Sequence, residues 1–120
     1  MADPKDLIRR FEYGERLKSE VSIANQLLER LLGLKDDQFI GGLQIVEAYI
    51  NSLIMEIKLA QKVLRSKVFF AKATRKLTES IGRITLQEFD EARQCFSEAL
   101  NDVTTVCAES FEALANLELM

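Results

Sequence analysis

Paired carboxylates are the residues of this sequence that could carry chemistry. Glu12 and Glu15, Glu88 and Glu91, and Glu109 and Glu112 each follow a Glu-x-x-Glu spacing, which on a helix puts both side chains on one face. Two such pairs facing each other inside a bundle could hold Mg²⁺ and hydrolyse a nucleotide. The other common catalytic plans are missing. The 120 residues include no histidine, which removes the usual general base, the commonest zinc ligand and any Ser-His or Cys-His relay. Phosphate-cradling glycine patterns, Cys-x-x-Cys pairs and Ser/Lys nucleophile signatures are absent too. Glu12, Glu15, Glu88 and Glu91 fall mainly opposite the apolar stripes of their segments, whereas a metal cage needs inward-facing oxygens. The expectation is a chain without catalytic residues, resident metal or cofactor.

Cations give the second pattern. Net charge is −3, yet residues 58–83 hold eight basic groups and one acid, while residues 84–120 hold one basic group and eight acids. Lys58, Lys62, Arg65, Phe69, Lys72, Lys76 and Arg83 recur at helical steps and would form one cationic face with an aromatic in it. Glu88, Glu91, Glu98, Asp102 and Glu109 form an acidic counterpart. A cationic row of this kind can bind a nucleic-acid backbone or an acidic protein. It can equally be a solvated face. The isoelectric point near 5.1 and the scarcity of aromatics in the row weigh against nucleic acid.

The elements that position these groups are helices. Asp3-Pro4 reads as a helix start, with Pro at the first helical position. Leu7, Leu17, Val21, Ala24, Leu28 and Leu31 then form a stripe that stops at Gly33. After a turn at Leu34–Asp37, a first seam of Phe39, Leu43, Val46, Ile50, Leu53, Ile57, Ala60 and Leu64 alternates steps of four and three. A second seam runs beside it through Ile45, Tyr49, Leu59, Val63, Phe70, Ala73, Leu77 and Ile84, interrupted by Ser52, Glu56, Ser66 and Ser80. No glycine or proline lies between Leu43 and Ile81, so nothing local forces a break. Gly82 would end this helix, and Thr85-Leu86-Gln87-Glu88 reads as a capping box for the next. The predicted fold is an all-α antiparallel bundle of three long helices, about 4–32, 38–81 and 86–118, in a single domain spanning 1–120. The alternative is a four-helix bundle broken near residue 66.

Positions left over from these seams suggest where a partner would sit. Ile8, Ile23 and Leu27 lie off the main stripe of the first helix. Cys95, Ala99, Val106 and Ala113 flank that of the last. A two-fold homodimer is the commonest way to cover such patches. Two charged residues interrupt the seams, Glu56 (placed facing the last helix near Ser110 and Phe111) and Arg93; buried, they would specify register or bind a ligand.

Composition limits the rest. Apolar residues are 48%, charged residues 29%, with one proline and five glycines, which excludes a disordered tail and an all-β sandwich or barrel. The charged opening Met1–Asp6 lacks the apolar stretch of a secretory signal. The longest run without charge, Gln38 to Val46, is nine residues, far short of the ~20 that span a bilayer. Cys95 and Cys107, on one helix, would stand about 18 Å apart, too far to bond to each other. Together these features predict a cytoplasmic, non-catalytic helical interaction or scaffolding module that self-associates as a homodimer and binds a protein partner. Binding of nucleic acid or an acidic partner through the cationic row is the alternative. Magnesium-dependent nucleotide hydrolysis is a third reading.

Overall fold

The computed structural model describes residues 3–118, and these form four α-helices without a strand. They are α1 (Pro4–Leu31), α2 (Asp36–Val63), α3 (Ala71–Thr85) and α4 (Phe89–Glu118). The first helix begins as its sequence dictates. Asp3 accepts a hydrogen bond from the Lys5 N–H at 3.0 Å, and Pro4 fills the first turn, where a missing N–H costs nothing. Asp36 and Asp37, from the turn, lie inside the first turn of α2, and Lys35 stands at the N-cap.

The uninterrupted rod expected over 38–81 is not there, and the chain forms the four-helix alternative. It reverses between Leu64 and Phe70 without a glycine. Ser66 N–H donates to the Gln61 carbonyl at 3.0 Å and Arg65 N–H to the Lys62 carbonyl at 3.2 Å, with Arg65 left-handed at φ 53°. That pair of bonds is a Schellman stop. Gln61 Nε2 then ties down the loop by donating to the Phe69 carbonyl at 2.7 Å. Phe70, also left-handed at φ 63°, drops its ring fully into the core. Left-handed non-glycine residues cost roughly 1–2 kcal/mol each, and burial of the Phe70 ring, about 1.5–3 kcal/mol, offsets a cost of that size.

The same device closes α3. Glu88 N–H donates to the Arg83 carbonyl at 2.8 Å and Gln87 N–H to that of Ile84 at 2.9 Å, with Gln87 at φ 60°. Gly82 therefore sits inside α3. The expected capping box is absent, because Thr85 closes α3 and donates back to Ile81. The start of α3 has no side-chain cap of its own. Asp102 supplies one from α4, accepting the Ala73 N–H at 2.8 Å.

Neighbouring helices run antiparallel. Tyr49 reaches Glu20, the Phe11 and Phe111 rings lie 5.9 Å apart, Lys76 meets Glu98, and Thr85 approaches Glu47. The helices form a ring in chain order: α4 packs on α1 and α3, α2 packs on α1 and α3, and the diagonal backbones stay apart, although the rings of Phe39 on α2 and Phe89 on α4 meet edge to face at 6.1 Å. One apolar core runs through all four. The stripe of α1 and the first seam of α2 from Val46 to Leu64 are buried as expected. The second seam divides. Its part beyond the turn, Phe70, Ala73, Leu77 and Ile84, is buried, while Ile45, Leu59 and Val63 face outward. The physical reason is the ring order: the last helix, expected to cover this seam, stands diagonal to α2.

Candidate functional site

The outward face of α2 is the first unusual surface. Ile45, Met55, Leu59 and Val63 are 66%, 66%, 63% and 46% exposed, and Gly41, Ala48 and Ser52 complete the stripe between them. Between Asp37 and Lys58 this helix carries only two charges, Glu47 and Glu56, and both turn sideways. Glu47 lies 3.4 Å from the Thr85 hydroxyl on α3, and Glu56 meets Arg16 on α1. About five turns of helix thus face solvent without a charge.

A cationic corner lies at the end of α2. Lys58, Lys62, Arg65 and Lys67 surround an open groove of about 500 Å³, together with Gln61 and Ser66. None of the four makes an ion pair among the described residues. The rest of the sequence-predicted row is split by the reversal. Phe69 is half-buried, with the Arg10 guanidinium 4.0 Å from its ring centre, so no base can stack on that face. Lys76 bonds Glu98 at 2.6 Å and Glu79 at 3.2 Å. Arg83 meets Glu88 at 3.2 Å and Glu79 at 3.7 Å. The contact with Glu98 holds the Lys76 ammonium above its usual range, and the same bond holds the Glu98 carboxyl below its own. Lys72 is exposed on α3. Lys67, which the row omits, joins the corner because its position depends on the loop.

Glu56 faces α1 and not the last helix, another consequence of the ring order. Its Oε1 lies 2.5 Å from Arg16 Nε, which also bonds Glu20 at 3.0 Å. Burial, then the facing Glu20 carboxyl, push Glu56 up to about 7 against the pull of Arg16. Tyr49 donates to the Glu20 carbonyl at 3.3 Å, and burial raises its phenol as well. Arg93 is half-buried on α4, and its Nε has no hydrogen-bond partner among the described residues.

Of the leftover apolar positions, Ile8 and Ile23 are exposed, while Leu27 and Ala113 are half-buried. Cys95, Ala99 and Val106 are buried within the chain. The two thiols are free, and burial pushes both upward. The carboxylate pairs are dispersed: Glu15 bonds Lys18, Glu88 bonds Arg83, and no three Asp, Glu or Cys among the described residues gather as a metal site. No described helix is long and apolar enough to cross a membrane. Compared with family models, curated proteins and solved structures, the chain matches none.

Proposed function

We propose that the chain is a non-catalytic helical interaction module, cytoplasmic in setting, which docks a partner helix on the outward face of α2. The observation that carries this reading is the stretch of that face without a charge. A helix at the surface of a self-sufficient bundle keeps one apolar stripe and a polar back, but α2 is apolar on both. Its patch is not large by the standard of monomer surfaces; its lack of charge singles it out. Two free, buried thiols are compatible with a reducing compartment. A photoreactive residue at Leu59 should give a protein adduct, and the same residue at Asn101, exposed on α4, should not. Absence of adduct at Leu59, or equal adducts at both, sinks the reading. Thermal stability should stay flat with Mg²⁺ and nucleotides, since a ligand of the folded state would raise it.

The cationic corner favours a second reading, binding of an acidic protein segment. Four cations without acidic partners among the described residues surround one groove and attract anions, and the α2 C-terminus, the negative end of the helix dipole, favours holding those cations there. The half-buried Phe69 removes the stacking platform a single-stranded nucleic acid would use. A Glu-rich peptide should bind at low salt and weaken as salt rises, and Lys62→Glu with Arg65→Glu should abolish binding. Unchanged affinity in that double variant rejects the corner.

A further inference from the structure

We infer that the helix docked on α2 is α2 of a second copy of this chain, antiparallel and two-fold related about Ser52. The inference rests on the proposed docking face and adds its occupant and register. An isologous two-fold interface is self-complementary: a position at a given offset before the axis meets the position at the same offset after it. The stripe Gly41, Ile45, Ala48, Ser52, Met55, Leu59, Val63 has this symmetry. Ser52 would meet Ser52, Ile45 would meet Leu59, and Gly41 would meet Val63. Ala48 would lie beside Met55, one position off perfect symmetry. Gly41 and Ala48 then oppose the larger Val63 and Met55, and the small Ser52 pair lets the two helices approach closely at the axis.

Charge selects the same direction. In an antiparallel pair each flank meets the corresponding flank of the other copy. Glu47 and Lys58 lie on the α3 side of α2, placed almost symmetrically about Ser52, so Lys58 of one copy comes beside Glu47 of the other. Parallel pairing would set Gly41 on Gly41 and Ala48 on Ala48, leaving gaps, and would bring the Glu47–Lys58 flank of one copy against the opposite flank of the other, away from its charge partner. The stripe is about 33 Å long and ~11 Å wide. Over two copies that is roughly 700 Å², below the size of stable interfaces and in the range of weak association.

Cysteine cross-linking tests the register, because the native thiols are buried. Ser52→Cys should form a disulfide-linked dimer under mild oxidation. Ile45→Cys alone and Leu59→Cys alone should not, since each would lie about 21 Å from its own copy, but a mixture of the two should cross-link. Light scattering of the unmodified chain at about 100 µM should report a dimer, and Leu59→Lys should weaken it roughly 100-fold, some 2.7 kcal/mol, with the helical content unchanged. A monomeric mass for the unmodified chain overturns the inference. So does efficient self-cross-linking of Ile45→Cys, which marks parallel pairing. If Leu59 carries photoadducts to a different protein while the chain stays monomeric, the docking face survives and the second copy falls. If Leu59 gives no adduct, both fall.

Discussion

Helices α2 and α4 are nearly equal in length, 28 and 30 residues, and they solve the problem of their two faces differently. The inner face of α4 is filled by Ala92, Phe96, Ala99, Val103, Val106 and Cys107, all covered by α1 and α3. Its outer positions, Glu91, Gln94, Asn101, Thr105, Glu109 and Glu112, are polar and exposed. α2 has an equally regular inner seam and then a second apolar seam with nothing over it. A periodic apolar stripe therefore states that something packs there, and leaves open whether the same chain supplies it. Short α3, with 15 residues, flanks α2 on one side and cannot wrap around its back.

The largest expected effect separates the two apolar sets directly. Phe96→Ala removes a ring from the α4 core and should cost about 3–5 kcal/mol in denaturant unfolding. Leu59→Ser on α2, measured at low protein concentration where chains are apart, should change stability by less than about 0.5 kcal/mol. Comparable losses at the two positions would mean that the outward seam is already buried inside one chain. A smaller effect is expected at Asp102, which belongs to the acidic row of α4 and caps α3. Asp102→Ala should cost about 1–2 kcal/mol, with faster amide exchange concentrated at the start of α3. Exchange that rises evenly through the molecule would remove the capping role.

How much of this was legible depends on range. The α1 stripe, the first α2 seam and the Asp3-Pro4 start rest on spacing and local chemistry, and the structure keeps them. The reversal was hidden because its stops at Arg65 and Gln87 use left-handed residues of ordinary type, while Gly82, the apparent punctuation, stays helical. The first seam turns polar after Leu64, at Lys67, Thr74 and Thr78, and that change falls where the chain turns. Asp102 was beyond reach of sequence, since its bond to Ala73 joins residues 29 apart. The cationic row was read on a single rod, so its seven members seemed equivalent. Folding divides them into a free corner at Lys58, Lys62 and Arg65 and a paired set at Lys76 and Arg83. The α2 seam was seen as a seam, and its exposure could not be, because ring order is a tertiary property.

Glu56 sharpens the contrast at the edge of α2 that is covered. Its carboxyl is raised from 4.5 to about 7 in the folded chain, so the folded state holds a proton that the unfolded state has released. Between those values stability falls as pH rises. Glu56→Gln mimics the protonated form and should flatten that dependence. It should raise stability by about 1 kcal/mol at pH 8, a fraction of the full shift because the pair meets water at one edge, and change little at pH 5. A variant whose pH profile runs parallel to that of the unmodified chain would show that Glu56 ionises normally.

Two helical glycines differ in surroundings as α2 and α4 differ in cover. Gly82 has no neighbour within 4 Å of where a Cβ would lie, whereas a Cβ on Gly14 would stand 2.2 Å from Cys107 Sγ. Gly82→Ala should therefore stabilise by about 0.5–1 kcal/mol through helix propensity alone. Gly14→Ala gains the same propensity but must push α1 away from α4, and overpacking costs about 1–3 kcal/mol, so the net sign should be negative. Cys107→Ala removes the obstructing sulfur. In that background Gly14→Ala should turn neutral or stabilising, a coupling readable in a double-mutant cycle. Additive changes would mean that the close approach of α1 and α4 at Gly14 yields without cost, and that the best-covered interface of the bundle is looser than its packing implies.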